Sequence, residues 1–306
     1  MEHPHLSLQI CYHCAMFKAL LQTMRPRQWT KNGFIFAALV FDGQLTNPGA
    51  VTIALAGFVV FCLLSSTVYI INDLIDLKAD QQHPRKRNRP IPAGELPVRV
   101  AWLAAISLII LVIPLSFLLT TQFGTIALLY LGLNLAYSTR LKHEPILDVL
   151  ILAGLYVLRV GAGVALIDVA RFSPWLYVST IFLALYLGIG KRRAELNLLA
   201  GEANAHRPVL EGYSMPLLDQ LITIVSSISI LTYSIYSFSA ENLPSNHAMM
   251  LTIPFVIYGI FRYLYLLQVK QSGEAPEDVL LTDHPLQLTL VLWGIAILLI
   301  MYIFPA

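Results

Sequence analysis

Six stretches of this chain carry no Asp, Glu, Lys or Arg. They run between Asp42 and Asp73, between Arg99 and Arg140, between Arg171 and Lys191, between Asp219 and Glu241, between Glu241 and Arg262, and from Pro285 to Ala306. A helix that crosses a bilayer needs about 20 mostly apolar residues, so each window holds a span, and the window after Arg99 holds two. Only 12% of the 306 residues are charged, half the roughly one quarter usual in soluble domains. Disordered chains, secreted disulfide scaffolds and cytosolic enzyme folds are thereby excluded. Three cysteines make no disulfide framework, and a single Cys11-x-x-Cys14 pair without a second is weak ground for a zinc site.

Punctuation by charge, Pro and Gly predicts an all-α polytopic membrane protein of about nine helices. They fall near 32–48, 50–71, 98–119, 122–138, 145–167, 173–190, 218–239, 247–267 and 285–304. Residues 1–31 read as a cytoplasmic segment with an interfacial helix from Ala15 to Met24, and 32–306 as one transmembrane catalytic domain. Basic residues set the orientation. Of 20 Lys and Arg, all but Arg159, Arg171 and Arg262 fall before the first helix or in alternate loops on that same side. That side is expected to be the cytoplasm of a bacterial inner membrane, with the N-terminus inside and the C-terminus outside. The long polar loops, about 72–97 and 191–217, lie there too, which places the chemistry at the cytoplasmic surface.

The most informative stretch is Asn72-Asp73-x-x-Asp76-x-x-x-Asp80, followed by His83-Pro-Arg85-Lys86-Arg87-Asn88-Arg89. At 100° per residue the three carboxylates fall within about 60° of one another, and Asn72 widens the arc to about 100°. Clustered carboxylates repel unless a cation sits among them. An all-oxygen set suits Mg²⁺, which keeps several waters and bridges to substrate phosphates. The metal set is therefore Asn72, Asp73, Asp76 and Asp80, and the basic run after it is suited to phosphate oxygens. The plainer alternative is a solvated charged loop with helix-capping acids.

This acidic segment resembles the first acidic motif of the UbiA-type intramembrane prenyltransferases. The resemblance implies a nine-helix bundle with a cytoplasm-facing central cavity, where a diphosphate is held through Mg²⁺. Members that transfer a prenyl chain to an aromatic ring carry a second acidic motif after the sixth helix. Here that place reads Gly190-Lys191-Arg192-Arg193-Ala194-Glu195-Leu196, and later Arg207-Pro-Val-Leu-Glu211-Gly-Tyr213. Three more segments share one likeness: Arg25-Pro26-Arg27-Gln28-Trp29-Thr30-Lys31-Asn32, Tyr137-Ser138-x-x-Leu141-Lys142 with Asp148, and Leu158-Arg159-x-x-Ala162-Gly163. Together they resemble the decaprenyl-phosphate phosphoribosyltransferase branch.

That resemblance implies phosphoribosyl diphosphate (PRPP) as donor, a polyprenyl phosphate as acceptor and a product used for cell-envelope glycolipids. It implies membrane lipids as surroundings and no nucleic-acid partner. An acceptor phosphate is already anionic near neutral pH, so no general base is required, and the site must supply position and cationic groups. Asp73, Asp76, Asp80 and Lys142 are expected to carry catalysis. Lys31, Arg85, Arg89, Lys191 and Arg192 are expected to contact phosphates, and Tyr137, Asp148, Arg159 and Glu195 to line the substrate site. Plainer readings exist for several. Lys142 could be a membrane anchor, Asp148 a complement to a helix dipole, and Glu195, four after Lys191 and three after Arg192, a partner in a surface ion pair. Arg87 and Arg193 read as solvated or headgroup partners. A charge as deep as Arg159 normally faces a polar cavity, with a structural ion pair as the alternative. Two other functions were weighed. An aromatic polyprenyltransferase using polyprenyl diphosphate lacks its second acidic motif here, and nearly all charge on one face leaves a transporter little with which to build alternating access.

Overall fold

The computed structural model describes residues 4–84, 86–167, 169, 173–199, 208–271, 279–280 and 282–303. All regular structure among them is helical. Seven helices are long and apolar enough to cross a membrane: Pro48–Ile75, Val98–Leu119, Leu147–Val164, Pro174–Leu198, Met215–Ser239, Ala248–Gln268 and His284–Ile303. The chain packs as two compact units, Met1–Gly33 with Leu55–Thr139, and Phe34–Ala54 with Arg140–Ala306, so the stretch 32–306 expected as one domain is shared between them.

In the first unit, α1 (Pro4–Met24) precedes α3 (Pro48–Ile75), which crosses the unit boundary, then α4 (Leu77–Gln82), α5 (Val98–Leu119) and α6 (Thr121–Thr139). The helix expected from Ala15 starts earlier, at Pro4. Its core joins Ala19 and Met24 of α1 to Ile70, Ile71 and Leu74 of α3 and to Ala101 and Ala105 of α5. Leu103, Ile110 and Leu118 of α5 point outward, an apolar face that lipid covers at no cost. α6 has the length of a span, but Gln122 and Asn134 lower its hydropathy below that of the other seven. Asn134 is buried and donates to the Tyr130 carbonyl one turn back at 2.7 Å, which satisfies the amide inside its own helix.

In the second unit, short α2 (Phe36–Phe41) is followed by α7 (Leu147–Val164), α8 (Pro174–Leu199), α9 (Met215–Ser239), α10 (Ile253–Gln268) and α11 (His284–Leu298). Ser214 caps α9 and Asp283 caps α11, each accepting a backbone N–H three residues on. Val149 and Ala153 of α7, Tyr186 and Ile189 of α8, Leu218 and Ile222 of α9, and Ile260 and Tyr263 of α10 form one core. The hydroxyls of α9, among them Ser229 to Val225 and Thr232 to Ile228, return to carbonyls of the preceding turn at 2.8 Å. A Ser/Thr-rich helix thereby remains compatible with an apolar setting.

Two further sequence expectations differ from the structure. The first helix, expected over 32–48, is instead a 3₁₀ segment (Pro26–Ile35) and the six-residue α2. Gly43 takes the left-handed conformation at φ 72° that ends it. Asn47 then accepts from the Gly49 and Ala50 N–H groups and starts the next helix. The Lys191–Glu195 cluster, expected in a loop, lies on the last turns of α8, because Lys-Arg-Arg-Ala-Glu-Leu is a run of good helix formers.

Candidate functional site

The acidic motif sits at the end of α3. That helix stops at Ile75 and α4 begins at Leu77, with Asp76 between them at φ −85° and ψ 4°. The i to i−4 bonding nevertheless continues, from Asp76 N–H to Asn72 O at 2.9 Å and from Asp80 N–H to Asp76 O at 2.8 Å. The one-sided arc read from the spacing thus survives the break. Asp73 and Asp80 are almost fully buried, while Asn72 and Asp76 are half-buried.

The segment after α4 folds back over this arc. Ile91 and Leu96 anchor it in the first unit's core. Gly94, at φ 78°, makes the reversal that a side chain would disfavour, and Leu96 N–H returns to Pro90 O at 3.0 Å. Arg89 is thereby laid between the carboxylates. Its Nη1 lies 2.6 Å from Asp80 Oδ2 and 3.0 Å from Asp73 Oδ1. Lys86 Nζ stands 3.7 Å from Asp80 Oδ1. From the other side, Arg25 Nη2 reaches Asp73 Oδ1 at 2.5 Å, with its guanidinium 4.9 Å above the Tyr69 ring. Arg25 has φ 53°. Its neighbours are tied to α3: Trp29 Nε1 donates to Ser66 Oγ at 3.0 Å, and Ser66 Oγ donates to Met24 O at 3.0 Å. Asn32, fully buried, donates to Ser65 Oγ at 3.1 Å.

The donor chemistry fits a divalent cation at Asp73 and Asp80. One cationic nitrogen already meets both carboxylates, so a small cation with water and substrate oxygens completing its shell has the same two anchors. Among the described residues no three Asp, Glu, His or Cys side chains converge as a metal set. The motif therefore supplies a pair of carboxylates, with Asn72 and Asp76 beside them on the arc. Arg85 lies outside the described residues. Lys31 and Tyr137, also in the first unit, are half-buried.

The second unit contains a separate buried charge network. Asp148, in the first turn of α7, is fully buried. Arg192 Nε donates to its Oδ2 at 2.6 Å, and Tyr213 Oη donates to its Oδ1 at 2.6 Å. Arg192 Nη1 also donates to Glu195 Oε2 at 2.6 Å. Burial and the bond to the Asp148 carboxylate push the Tyr213 phenol up, so it stays a proton donor at neutral pH. Arg192 was expected on a phosphate. The structure instead gives it two carboxylate partners and 1% exposure, because α8 turns its side chain inward onto Asp148 of α7. Arg193, expected to be solvated, pairs with Asp219 at 2.6 Å and donates to Leu267 O at 3.1 Å. Arg159 is buried, donates from Nη1 to Leu155 O at 3.0 Å and lies 5.1 Å from the Tyr156 ring centre. Lys142, in the turn Leu141–His143, and Lys191 are half-buried.

Sequence reasoning did not single out Arg25 or Tyr213. Each stood inside a quoted segment, but their partners lie 48 and 65 residues away, and no local spacing signals such pairs.

The sequence profile of the UbiA prenyltransferase family matches residues 33–279. The chain is 32% identical to the decaprenyl-phosphate phosphoribosyltransferase of Corynebacterium glutamicum, covering 94% of this chain and 87% of that protein. It is 32% identical to the enzyme of the same name from Mycobacterium tuberculosis, over 90% of this chain and 91% of that one. In fold it is similar to a UbiA homolog from Archaeoglobus fulgidus solved with DMAPP and Mg²⁺, with a TM-score of 0.69, 22% identity and coverage of 92% and 96%. An integral membrane transferase of helical spans with an acidic helix end, matched over most of its length, this chain belongs to the UbiA prenyltransferase family.

Proposed function

We propose that this protein transfers 5-phosphoribose from PRPP to a polyprenyl phosphate, giving polyprenyl-phosphoryl 5-phosphoribose and diphosphate for cell-envelope glycolipid precursors. The observation that carries this reading is the asymmetry between the two charged clusters. Asp73 and Asp80 share a cation position, whereas α8 bears Lys191, Arg192 and Arg193 where a second acidic motif would stand. The likeness to two decaprenyl-phosphate phosphoribosyltransferases over at least 90% of the chain supports the same branch.

In this reading Asp73 and Asp80 would hold Mg²⁺, with Asn72 and Asp76 beside them on the same arc. When bound, the ion neutralises charge developing on the leaving diphosphate. Arg89 and Arg25 balance the carboxylates before substrate arrives and offer guanidinium donors to diphosphate oxygens once it is present. In the first unit Lys31 and Arg85 are assigned to phosphate charge and Tyr137 to substrate, and in the second unit Lys142 and Lys191 to phosphate charge and Arg159 to substrate. A phosphate oxygen of the acceptor attacks the anomeric carbon as its bond to diphosphate breaks, through an oxocarbenium-like state. The attacking oxygen is already ionised, so the protein's contribution is orientation and charge. Asp148, Arg192 and Glu195 act as a brace within the second unit. The architecture proposed with this function has about nine membrane-embedded segments, α6 and the broken 26–41 segment included. It has a cytoplasmic N-terminus, an outer C-terminus and a central cavity facing the cytoplasm of the bacterial inner membrane.

The test is transfer of ribose label from PRPP into the organic phase, using purified protein, Mg²⁺ and a panel of polyprenyl phosphates. Mg²⁺-dependent label that Asp73→Ala and Asp76→Ala both abolish is the expected result. Activity only with polyprenyl diphosphate and 4-hydroxybenzoate would overturn the assignment in favour of aromatic prenyl transfer.

A further inference from the structure

Ile146 has φ 69° and ψ −48°, and across it the Leu147 N–H donates to the Pro145 carbonyl at 2.8 Å. This is the positive-φ form of the γ-turn, rare and strained in any residue and a real outlier for a β-branched one. A glycine would take this conformation without strain. Here an isoleucine with an exposed side chain is held in it. Such strain persists only where the surroundings over-determine it, and the segment 208–213 does so in two ways. Tyr213 Oη accepts the Ile146 N–H at 2.6 Å while donating to Asp148 Oδ1 at 2.6 Å. Gly212 presses on the turn so closely that a Cβ there would lie 2.2 Å from Pro145 Cγ. Arg192 completes the hold by fixing the other oxygen of Asp148.

The turn has little slack towards Lys142. His143 N–H closes on Arg140 O at 3.1 Å, Glu144 N–H on Leu141 O at 3.3 Å, and Asp148 N–H on Glu144 O at 3.0 Å. The residues on either side of Lys142, from Arg140 and Leu141 through His143 and Glu144 to Asp148, are thus tied to ones a few positions away, and the direction in which the 141–143 turn presents Lys142 depends on Ile146. We propose that Tyr213 is a positioning residue for Lys142, acting through the strained Ile146 turn that it and Gly212 hold in place. The inference rests on the reading of Lys142 as a phosphate contact given above. It assigns the 208–213 segment, which touches no substrate in this account, a part in binding the anionic donor.

The experiment measures equilibrium binding of PRPP with Mg²⁺ to the purified full-length protein. The variants are Tyr213→Phe, Gly212→Ala, Lys142→Gln, and each of the first two combined with the third. Tyr213→Phe keeps the ring and removes only the hydroxyl, and Gly212→Ala disturbs the same turn from Pro145, so either carries the test if the other folds poorly. The expected result is a loss of about tenfold in affinity for each single variant, the size of one hydrogen-bond-scale contact. The double variants should bind no more weakly than Lys142→Gln alone, because all act on one contact. Amide exchange at Glu144 and at Ile146, Leu147 and Asp148 should rise in Tyr213→Phe. Losses that multiply in the doubles, or a Tyr213→Phe protein that binds as wild type, would overturn the inference. A Lys142→Gln protein that binds as wild type would instead overturn the phosphate-contact reading, and the inference with it.

Discussion

Replacing Arg192 by Met tests whether the second unit's charge network is a brace or a substrate contact. Arg192 is 1% exposed and Asp148 0%, so the substitution leaves a carboxylate buried without its counter-charge. Breaking a buried pair in this way costs about 3–5 kcal/mol. Tyr213 still donates to Asp148, and Glu195, with 18% of its side chain exposed, can turn to water, so the lower end of about 3 kcal/mol applies. In a protein of this size that corresponds to a fall of roughly 5 °C in unfolding midpoint. The assay is the folded fraction by size exclusion after heating in detergent. The double variant Arg192→Met/Asp148→Leu should recover at least half of the loss, because removing both charges removes the uncompensated one. An Arg192→Met protein with the wild-type midpoint but weakened PRPP binding would refute the reasoning and return Arg192 to the substrate.

Three further outcomes follow from particular contacts. Gly163→Ala should destabilise by about 3 kcal/mol, since its Cβ would lie 2.0 Å from the Ile35 carbonyl oxygen, a backbone atom with no rotamer to yield; a midpoint within error of wild type would contradict this. Hydrogen bonds from Arg262 hold the Asp283 carboxyl below its usual range. The stability from that pair is therefore complete above the unfolded carboxylate pKa of about 4 and lost as pH falls through the lower folded value. Thermal midpoints from neutral pH downward should show the wild type's advantage over Asp283→Asn shrinking with acid, and a constant advantage would refute the assignment. Stripping divalent ions with a chelator should abolish transfer and Mg²⁺ should restore it. Asp80→Asn should raise the Mg²⁺ concentration for half-maximal activity, whereas an unchanged requirement would remove Asp80 from the metal set.

Much of this was legible in the residues. The charge-free windows marked six of the seven spans, because exclusion of charge from the bilayer core is a local property of sequence, whereas Leu147–Val164 carries Asp148 and Arg159 and was read from its apolar run between Pro145 and the following loop. The Asp73, Asp76 and Asp80 spacing was legible for the same reason, since helical geometry turns separations of three and four into one face. The break at Gly43 was misread because a short apolar run around Phe36–Phe41 resembles the core of a span until the left-handed residue that ends it is known. What the spacing hid was pairing over distance. Arg192 reads as a phosphate ligand from its neighbours Lys191 and Arg193, and only the packing of α7 against α8 turns it onto Asp148. The Ile146 turn was illegible for a deeper reason: local propensity argues against a positive φ at a β-branched residue, and contacts from Tyr213 and Gly212 override it.

The central claim is that a phosphoribosyl group, and not a diphosphate or a prenyl chain, is moved. PRPP labelled separately on its 5-phosphate and on its diphosphate tests this most directly, with polyprenyl phosphate and Mg²⁺ present. The account predicts that the 5-phosphate label enters the lipid while the diphosphate label stays in the aqueous phase. Diphosphate label in the lipid, or lipid product free of the 5-phosphate label, would contradict it.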